Sequence, residues 1–137
     1  MNRLGSIQDG KPIYPMFVTD THVAKEEIPV AAGYPLYIGL DFGLTPAATM
    51  GQKVRGRWLV QDEVVAFDMG IVRFAEVLRE QIATRFSQCS EVIIYGDPAG
   101  DFRAQTDEST PFHILRGAGL RAFPAPSNSV DLRLESV

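Results

Sequence analysis

Two aspartates in this sequence each follow a short apolar run, and their type and position suit metal chemistry. Asp41 ends the run over residues 37–40, and Asp97 ends the run over residues 93–96. If these runs are neighbouring parallel strands, about 4.8 Å apart, the two carboxylates emerge side by side. Carboxylates this close repel each other unless a cation lies between them, and Mg²⁺ or Mn²⁺ with oxygen ligands is then expected. The pair therefore predicts a divalent-metal site of the kind found in two-metal hydrolases.

Each aspartate alone also fits a structural role. Asp97 precedes Pro98, which is a common start of a turn, and an aspartate after a strand often caps the next element. Gly39 and Gly43 flank Asp41 and can let the backbone turn sharply or approach a neighbour closely. Only the pair, placed at two strand ends, favours function over structure.

Hydrophobic periodicity predicts the elements that would position this pair. Short apolar runs predict strands over residues 36–40, 47–54 and 57–65, the last two joined as a hairpin. Helical spacing then predicts an amphipathic helix with Asp68 as its N-cap, based on Ile71, Phe74, Ala75, Leu78, Ile82 and Phe86.

The second half of the chain alternates between strands and helices. The pattern predicts a short buried strand at 92–95, a helix that begins at Ser109 or Thr110, a strand at 120–123 and the start of a helix from residue 130. This order is typical of an α/β fold with a ribonuclease H-like mixed five-stranded sheet flanked by helices. In that fold the first and fourth strands are parallel neighbours at the centre, so both aspartates end at one edge of the sheet.

Composition limits the class of protein. Residues 1–35 are rich in Pro and Gly and lack periodicity, which predicts an extended arm or linker before a core domain over 36–137. With 45% hydrophobic and 22% charged residues, the chain is neither fibrous nor disordered. No apolar run approaches the roughly 18 residues of a membrane helix, and no signal peptide is recognisable, so a cytoplasmic protein is expected. The single Cys89 excludes an internal disulfide and a thiolate zinc site.

The net charge of -4 argues against a surface that serves wholly as a nucleic-acid patch. It is compatible with an enzyme that acts on nucleic acid, because clustered metal-binding carboxylates lower the net charge of such an enzyme.

Two longer motifs surround the aspartates. They are Tyr-Ile-Gly-Leu-Asp-Phe-Gly-Leu-Thr-Pro-Ala-Ala-Thr at 37–49 and Tyr-Gly-Asp-Pro-Ala-Gly-Asp at 95–101. Together with residues 103–108, they resemble the nuclease domain of the large terminase subunit of tailed phages. Weaker similarity extends to residues 10–15, 22–24 and 128–137.

The resemblance implies a hydrolase, a metal-dependent DNA endonuclease that cuts concatemeric DNA by two-metal phosphodiester hydrolysis during DNA packaging into the bacteriophage head. Asp41 and Asp97 match the first two metal-binding acids of the family, so they are the implied catalytic residues and ligands of Mg²⁺ or Mn²⁺. The implied partners are double-stranded DNA, the portal, the small terminase subunit and the ATPase domain of the same protein. The implied location is the cytoplasm of a phage-infected or lysogenic bacterial host.

The family pattern also includes features that this sequence lacks. A third acid, in a segment resembling His-x-x-Asp-Ala, has no counterpart, and the phosphate-binding loop GxxxxGK[ST] is absent, so the resemblance implies a chain cut at both ends. Loss of the third ligand should weaken one ion site and slow cleavage unless another acid substitutes. Asp101 and Glu63 are the candidate auxiliary acids. Their structural alternatives are a solvated turn residue for Asp101 and an exposed strand-end acid for Glu63.

Four cations are candidates for DNA contact. Lys53, Arg55 and Arg57 occupy alternate positions across the predicted hairpin, which suits phosphate binding and equally suits a soluble, charged turn. Arg103 lies near the Asp97 motif and could touch the scissile phosphate, although a salt bridge within its own loop competes.

Other conspicuous side chains have structural explanations. Arg73, Arg79 and Arg85 are predicted on the solvated side of the amphipathic helix, and Trp58 is expected to pack on the sheet.

Three other functions stay open. The run Asp-Phe-Gly-Leu-Thr at 41–45 also resembles the first phosphate loop of actin-like ATPases and sugar kinases, although those proteins need two such lobes. A catalytically inactive, prophage-derived binding module that docks to packaging components is a second alternative. A Holliday-junction resolvase, with the same fold and metal chemistry, is the third.

Overall fold

The computed structural model describes residues 12–98, 110–127 and 129. Within these ranges the elements are α1 (Thr19–His22), β1 (Leu36–Asp41), β2 (Ala47–Val54), β3 (Arg57–Val65), α2 (Ile71–Arg85), β4 (Val92–Gly96), α3 (Pro111–Gly117) and β5 (Ala122–Pro124). The bounds of β2 and β3 are those predicted, whereas β5 begins two residues later than predicted. The helix predicted from residue 130 lies outside the described residues.

The five strands form one mixed sheet in the order β3-β2-β1-β4-β5. β1 is antiparallel to β2 and parallel to β4, β2 and β3 form an antiparallel hairpin, and β4 is parallel to β5. The prediction of an α/β fold with a ribonuclease H-like mixed five-stranded sheet is confirmed, with the first and fourth strands as parallel neighbours. Actin-like ATPases share this arrangement of strands.

One face of the sheet, here called the covered face, packs against both longer helices. Alternation along each strand sends every second side chain to this face. The two helices contribute buried residues to the same core, so they lie on one side of the sheet. The core consists of Leu36, Ile38, Leu40, Ala48, Met50, Ala66, Phe74, Ala75, Leu78, Phe86, Ile94, Phe112, Leu115, Leu120 and Ala122.

The opposite face, here called the open face, has no helix packed on it in the described part of the chain. By strand register and alternation it carries Tyr37, Gly39, Asp41, Ala47, Thr49, Lys53, Trp58, Val60, Glu63, Val65, Tyr95 and Phe123. Both chemistry-bearing and aromatic side chains are therefore on this side of the sheet.

The β2–β3 hairpin combines a tight turn with a bulge. Arg55 (φ 50°) and Gly56 (φ 79°) both have left-handed backbone conformations, as a two-residue type I′ turn requires. Farther along, Met50 pairs with Asp62 but Gly51 pairs with Val60, so one residue of β3 is unpaired. A Cβ at Gly51 would lie 2.7 Å from the Leu59 carbonyl oxygen, which explains the glycine there.

Of the two predicted helix starts, one is wrong and one is confirmed. Asp68 is not the N-cap of α2: the N-cap is Gly70, without a side-chain cap, and Asp68 itself has φ 50° in the approach to the helix. Thr110 does cap α3, because its hydroxyl accepts a hydrogen bond from the His113 backbone N–H at 3.1 Å and Pro111 follows it.

Two buried glutamines attach the segment before β1 to the sheet. The Gln52 side chain accepts from the Ala31 N–H at 2.8 Å and donates to the carbonyl oxygens of Ala31 and Tyr34 at 3.0 and 3.2 Å. Gln61 donates to the Pro29 carbonyl at 2.9 Å. The segment before β1 thus supplies the hydrogen bonds that water would otherwise make to these side-chain amides. The predicted boundary between an arm and a core domain at residue 35 stays a prediction.

Arg85 corrects the predicted solvated side of α2. Its guanidinium pairs with Asp62 and with Glu27, each at 2.8 Å, and its side chain is only 23% exposed. Since Asp62 is on the covered side of β3, this ion pair fixes the C-terminal end of α2 to the edge of the sheet.

None of the helices in the described ranges is long and apolar enough to cross a membrane.

Candidate functional site

The register between β1 and β4 brings the two predicted aspartates to one edge of the sheet. Leu40 is paired with Gly96, and the next residue on each strand is an aspartate. Neighbouring strands are about 4.8 Å apart, so Asp41 and Asp97 leave the sheet next to each other. Asp41 is exposed and Asp97 is half-buried.

Both aspartates line an open cleft of about 760 Å³. Its walls come from the ends of β1 and β4, the start of β2 and the segment after β5: Gly39, Leu40, Asp41, Ala47, Thr49, Tyr95, Gly96, Asp97, Pro98, Ala125 and Ser127. The Ala125 N–H donates to the Gly96 carbonyl at 2.8 Å, which holds the segment after β5 against the cleft. Ligands of open α/β sheets bind at this position, outside the carboxyl ends of the strands.

The residues adjacent to the aspartates interlock on the covered side. Phe42 follows Asp41, and its ring occupies the space where a Cβ of Gly96 would be, with the Phe42 Cζ atom 2.7 Å from that position. The Phe42 ring also contacts Phe112 edge-to-face, with ring centroids 5.0 Å apart. The motif around Asp41 therefore supplies the Phe42 ring, and the motif around Asp97 supplies Gly96, whose lack of a side chain leaves room for that ring. This contact sets the relative position of the two strand ends.

The sequence reasoning had placed close backbone approach elsewhere. Among the described residues, no heavy atom lies within 4 Å of a Cβ built on Gly39, and one built on Gly43 meets only ordinary contacts at 3.9 Å. Gly96 is the glycine that allows close packing, and the sequence carries its signal as a glycine directly before the second aspartate.

The donor groups of the cleft suit a hard divalent cation. Carboxylate oxygens of Asp41 and Asp97 and hydroxyl oxygens of Thr49 and Ser127 are the ligand type that Mg²⁺ accepts. Across the described ranges no cluster of three or more His, Cys, Asp or Glu residues is present. Mg²⁺ commonly binds through one or two carboxylates and keeps several waters or substrate phosphates, so the two acids are compatible with one such ion.

The predicted auxiliary acids differ in position. Glu63 is exposed on the open face, paired in register with Thr49, and so faces the same side as Asp41 from the edge strand β3. Its neighbour Asp62 points to the covered side, where it accepts hydrogen bonds from Arg85 and Gln81. Asp101 lies outside the described residues.

The predicted DNA-contact cations lie far from the aspartates. β2 runs away from the cleft, and Lys53 comes six residues after Ala47, the partner of Asp41, which is about 20 Å along a strand. Lys53, Arg55 and Arg57 are all at that far end, away from the cleft. Arg103 lies outside the described residues.

Sequence reasoning missed an aromatic cluster on the open face. Trp58 is 59% exposed rather than packed away, and it contacts Tyr37 edge-to-face with centroids 5.4 Å apart. The Lys53 ammonium lies 5.8 Å from the centre of the indole ring. The signal was present in the sequence, because the alternation that sends Lys53 to one face also sends Trp58 there.

A second cleft, of about 670 Å³, lies between α2 and the segment before β5. It is lined by Glu76, Arg79, Glu80, Ile82, Ala83, Glu91, Val92, Gly119, Leu120 and Arg121, none of which was a predicted site residue.

Comparison with solved structures finds this fold in a phage protein. The large terminase from a thermophilic bacteriophage matches with a TM-score of 0.67 and 19% identity, over 87% of this chain and 29% of the terminase chain. The same protein in complex with ADP matches with the same TM-score and identity. The chain shares the fold of part of a large terminase. It spans about 29% of the length of that protein.

A more distant similarity is to the PPX-GPPA enzyme of Aquifex aeolicus, with a TM-score of 0.48 and 16% identity over 69% of this chain and 36% of that one. No family model matches the chain. No curated protein matches it either.

Proposed function

We propose that this chain is the core of a metal-dependent nuclease domain of a phage DNA-packaging terminase and hydrolyses phosphodiester bonds in double-stranded DNA. The observation that carries the proposal is the pairing of Leu40 with Gly96, which sets Asp41 and Asp97 side by side in one cleft. The fold shared with the large terminase of the thermophilic phage supports it. By analogy with that protein's name, we propose phage DNA packaging as the setting, with the portal and the small terminase subunit as partners.

In this proposal Asp41 and Asp97 would hold Mg²⁺ or Mn²⁺. Such an ion supplies Lewis-acid stabilisation of phosphate charge and lowers the pKa of a bound water. The exposed Asp41 and the half-buried Asp97 would each supply carboxylate oxygens to the ion. Phe42 and Gly96 act as positioning residues, because their contact fixes the strand ends that carry both carboxylates.

The absence of the family's third acid has a consequence in this proposal. With two carboxylates among the described residues of the cleft, one of two ions would be held more weakly than the other, and cleavage that depends on these two acids alone should be slow and should need high metal concentration. Glu63 is our candidate auxiliary acid among the described residues, since it faces the same side of the sheet as Asp41.

The test is a calorimetric titration of Mn²⁺ into the chain and into its Asp41→Asn and Asp97→Asn variants, followed by plasmid cleavage with the same samples. Loss of a direct ligand should weaken binding by more than the roughly 10- to 100-fold cost of losing an outer-shell partner. Asp68→Asn is the matched control, because Asp68 is an exposed aspartate outside the cleft with a left-handed backbone that asparagine tolerates.

Binding that is lost in both cleft variants and kept in the control supports the shared site, and cleavage with the same dependence supports the nuclease. Equal Mn²⁺ binding in all four proteins, or none in any of them, overturns the proposal and favours a binding module without catalysis.

A further inference from the structure

The open face carries a line of exposed aromatic side chains that leads to the cleft. Trp58 and Tyr37 form one aromatic pair at the far end. Tyr95, 41% exposed, lines the cleft itself and contacts Phe123 with centroids 6.3 Å apart. Gly39 lies between the two pairs, and no described atom occupies the space above it. We call the strip of the open face from Trp58 over Gly39 to Tyr95 the trough, and an aromatic pair lies at each end of it.

The far end of this trough is positively charged. Lys53 lies over the Trp58 ring, Arg55 is in the adjacent hairpin turn, and Arg57 is the first residue of β3, paired with Val54. Within the described ranges, no carboxylate lies within ion-pair distance of these three cations, whereas Arg73, Arg85 and Arg121 are each paired. Asp41 and Asp97 lie at the cleft end of this line, whereas Glu63 is on the edge strand opposite Thr49 and outside the path from Trp58 to Tyr95. The surface thus combines aromatic rings, on which bases can stack, with cations that have no ion-pair partner among the described residues and can bind phosphates.

We propose that the open face binds an unpaired nucleic-acid strand, with bases stacked on Trp58 and Tyr95 and phosphates near Lys53 and the hairpin cations. The choice of ligand rests on the proposed function, since the cleft at the other end of the trough is the site where that function hydrolyses a phosphodiester. Exposed rings and a basic groove together are the features that bind single strands without sequence preference. A duplex keeps the faces of its bases stacked on one another, so these rings would have no partner in it.

The distance between the two ends fits this role. Trp58 is paired with Lys53, about 20 Å along the strand from the Ala47 partner of Asp41. A strand that spans this distance is held at one end by stacking and charge while its other end enters the cleft. The hairpin cations, remote from the cleft, then act as an anchor for the unpaired strand.

Trp58 is the single tryptophan of the chain, so its fluorescence reports on this face alone. The experiment is a titration of the full chain with a short deoxythymidine oligonucleotide in EDTA, followed by Trp58 emission. We expect saturable quenching that weakens as salt is added, because bases stack on the ring and phosphates release counterions. The same length of duplex should quench far less.

Two variants test the path without replacing either aspartate of the cleft. Gly39→Val should fold, since no described heavy atom lies within 4 Å of a Cβ at this position, and the added side chain should block the trough and lower affinity. Tyr95→Ala, measured by Trp58 quenching, should weaken binding by roughly 5- to 100-fold, the range for losing one stacked base. Val72→Ala, an exposed apolar position on α2, is the control and should bind as the parent does.

The outcomes separate this inference from the proposed function. Quenching that persists in Asp41→Asn supports the trough even if the chain never binds Mn²⁺ or cleaves DNA. Metal-dependent cleavage of duplex without any Trp58 quenching overturns the trough and leaves the nuclease proposal intact. Equal quenching by duplex, unchanged affinity of Gly39→Val and Tyr95→Ala, or an emission shift with protein concentration alone also overturns it, the last because a second copy would then cover the face.

Discussion

On the covered face of the sheet Leu36 and Ile38 have at most 1% of their surface exposed, whereas on the open face Val60 and Trp58 each keep more than half. Alternation assigns the two sets of side chains from the same strands, so residues next to each other in sequence have opposite environments. The covered face buries the apolar area that stabilises the fold. The open face holds Asp41, Lys53 and the exposed aromatic rings of Trp58, Tyr95 and Phe123. Along each strand, residues that stabilise the core therefore alternate with residues that are exposed on the open face.

The largest contrast should come from two phenylalanines. Phe112→Ala removes a fully buried ring of α3 that contacts Phe42, and we expect a loss of about 3–5 kcal/mol in the free energy of unfolding. Phe123→Ala, on the open face, should change it by roughly 0.5 kcal/mol or less. Urea denaturation followed by circular dichroism measures both. Equal losses would mean that the open face is also part of a core.

Two glycines give the next contrast. Gly96→Ala places a methyl group inside the Phe42 ring contact, and overpacking of this kind costs about 1–3 kcal/mol. Because Phe42 and Gly96 adjoin the two aspartates, Mn²⁺ affinity should fall as well. Gly39→Ala, in the centre of β1 with open space around it, should leave stability and Mn²⁺ binding close to the parent values. A stable Gly96→Ala variant with normal Mn²⁺ binding would contradict the positioning role of this contact.

The neighbouring acids Asp62 and Glu63 test the comparison within one dipeptide. Asp62→Asn weakens a half-buried ion pair with Arg85 and should cost on the order of 1 kcal/mol, since partial exposure reduces the value of such a pair. Glu63→Gln should be neutral for stability but should lower the cleavage rate if Glu63 assists the cleft. Thermal melts and plasmid cleavage of the two variants separate these effects. A loss of stability in Glu63→Gln together with slower cleavage by Asp62→Asn would contradict this assignment of the two faces.

The smallest expected effect concerns Cys89, which contacts the buried Gln52 side chain at 3.4 Å. Burial raises the pKa of the Cys89 thiol, because desolvation disfavours the thiolate. At a given pH the folded chain therefore has less thiolate than an unfolded one, and alkylation by iodoacetamide should be slower than in urea. Mass spectrometry of the alkylated fraction over time measures the two rates. Similar rates would indicate an exposed thiol with an ordinary pKa.

Much of this arrangement was predictable because it depends on local patterns. Short apolar runs in residues 47–54 and 57–65 indicated β2 and β3, and the order of strands and helices indicated the parallel pairing of β1 with β4. Thr110 before Pro111 was a readable helix start. Asp68 before α2 looked equally suitable, but its left-handed backbone takes it out of the capping position. Capping depends on backbone angles that residue type alone does not determine.

The features that escaped prediction join distant segments. The Phe42–Gly96 contact, the Arg85 pair with Asp62 and the glutamine contacts to the segment before β1 each need two parts of the chain to meet. None of them has a periodic signature, since each depends on the shapes and partners of particular side chains. The exposure of Trp58 has no periodic signature either, because it depends on whether another described segment packs over the ring.

The parallel pairing of β1 with β4 also bears on the order of folding. The β2–β3 hairpin closes through a two-residue turn, and such hairpins form within about 1–10 μs in isolation. Asp41 and Asp97 are separated by that hairpin and by α2, so their strands pair only after a long loop has closed, which is entropically slower. We expect pulse-labelled hydrogen exchange to protect β2 and β3 before β4. A nascent chain would then carry its basic hairpin before Asp41 and Asp97 are brought together, so the cleft would form only when the sheet is complete.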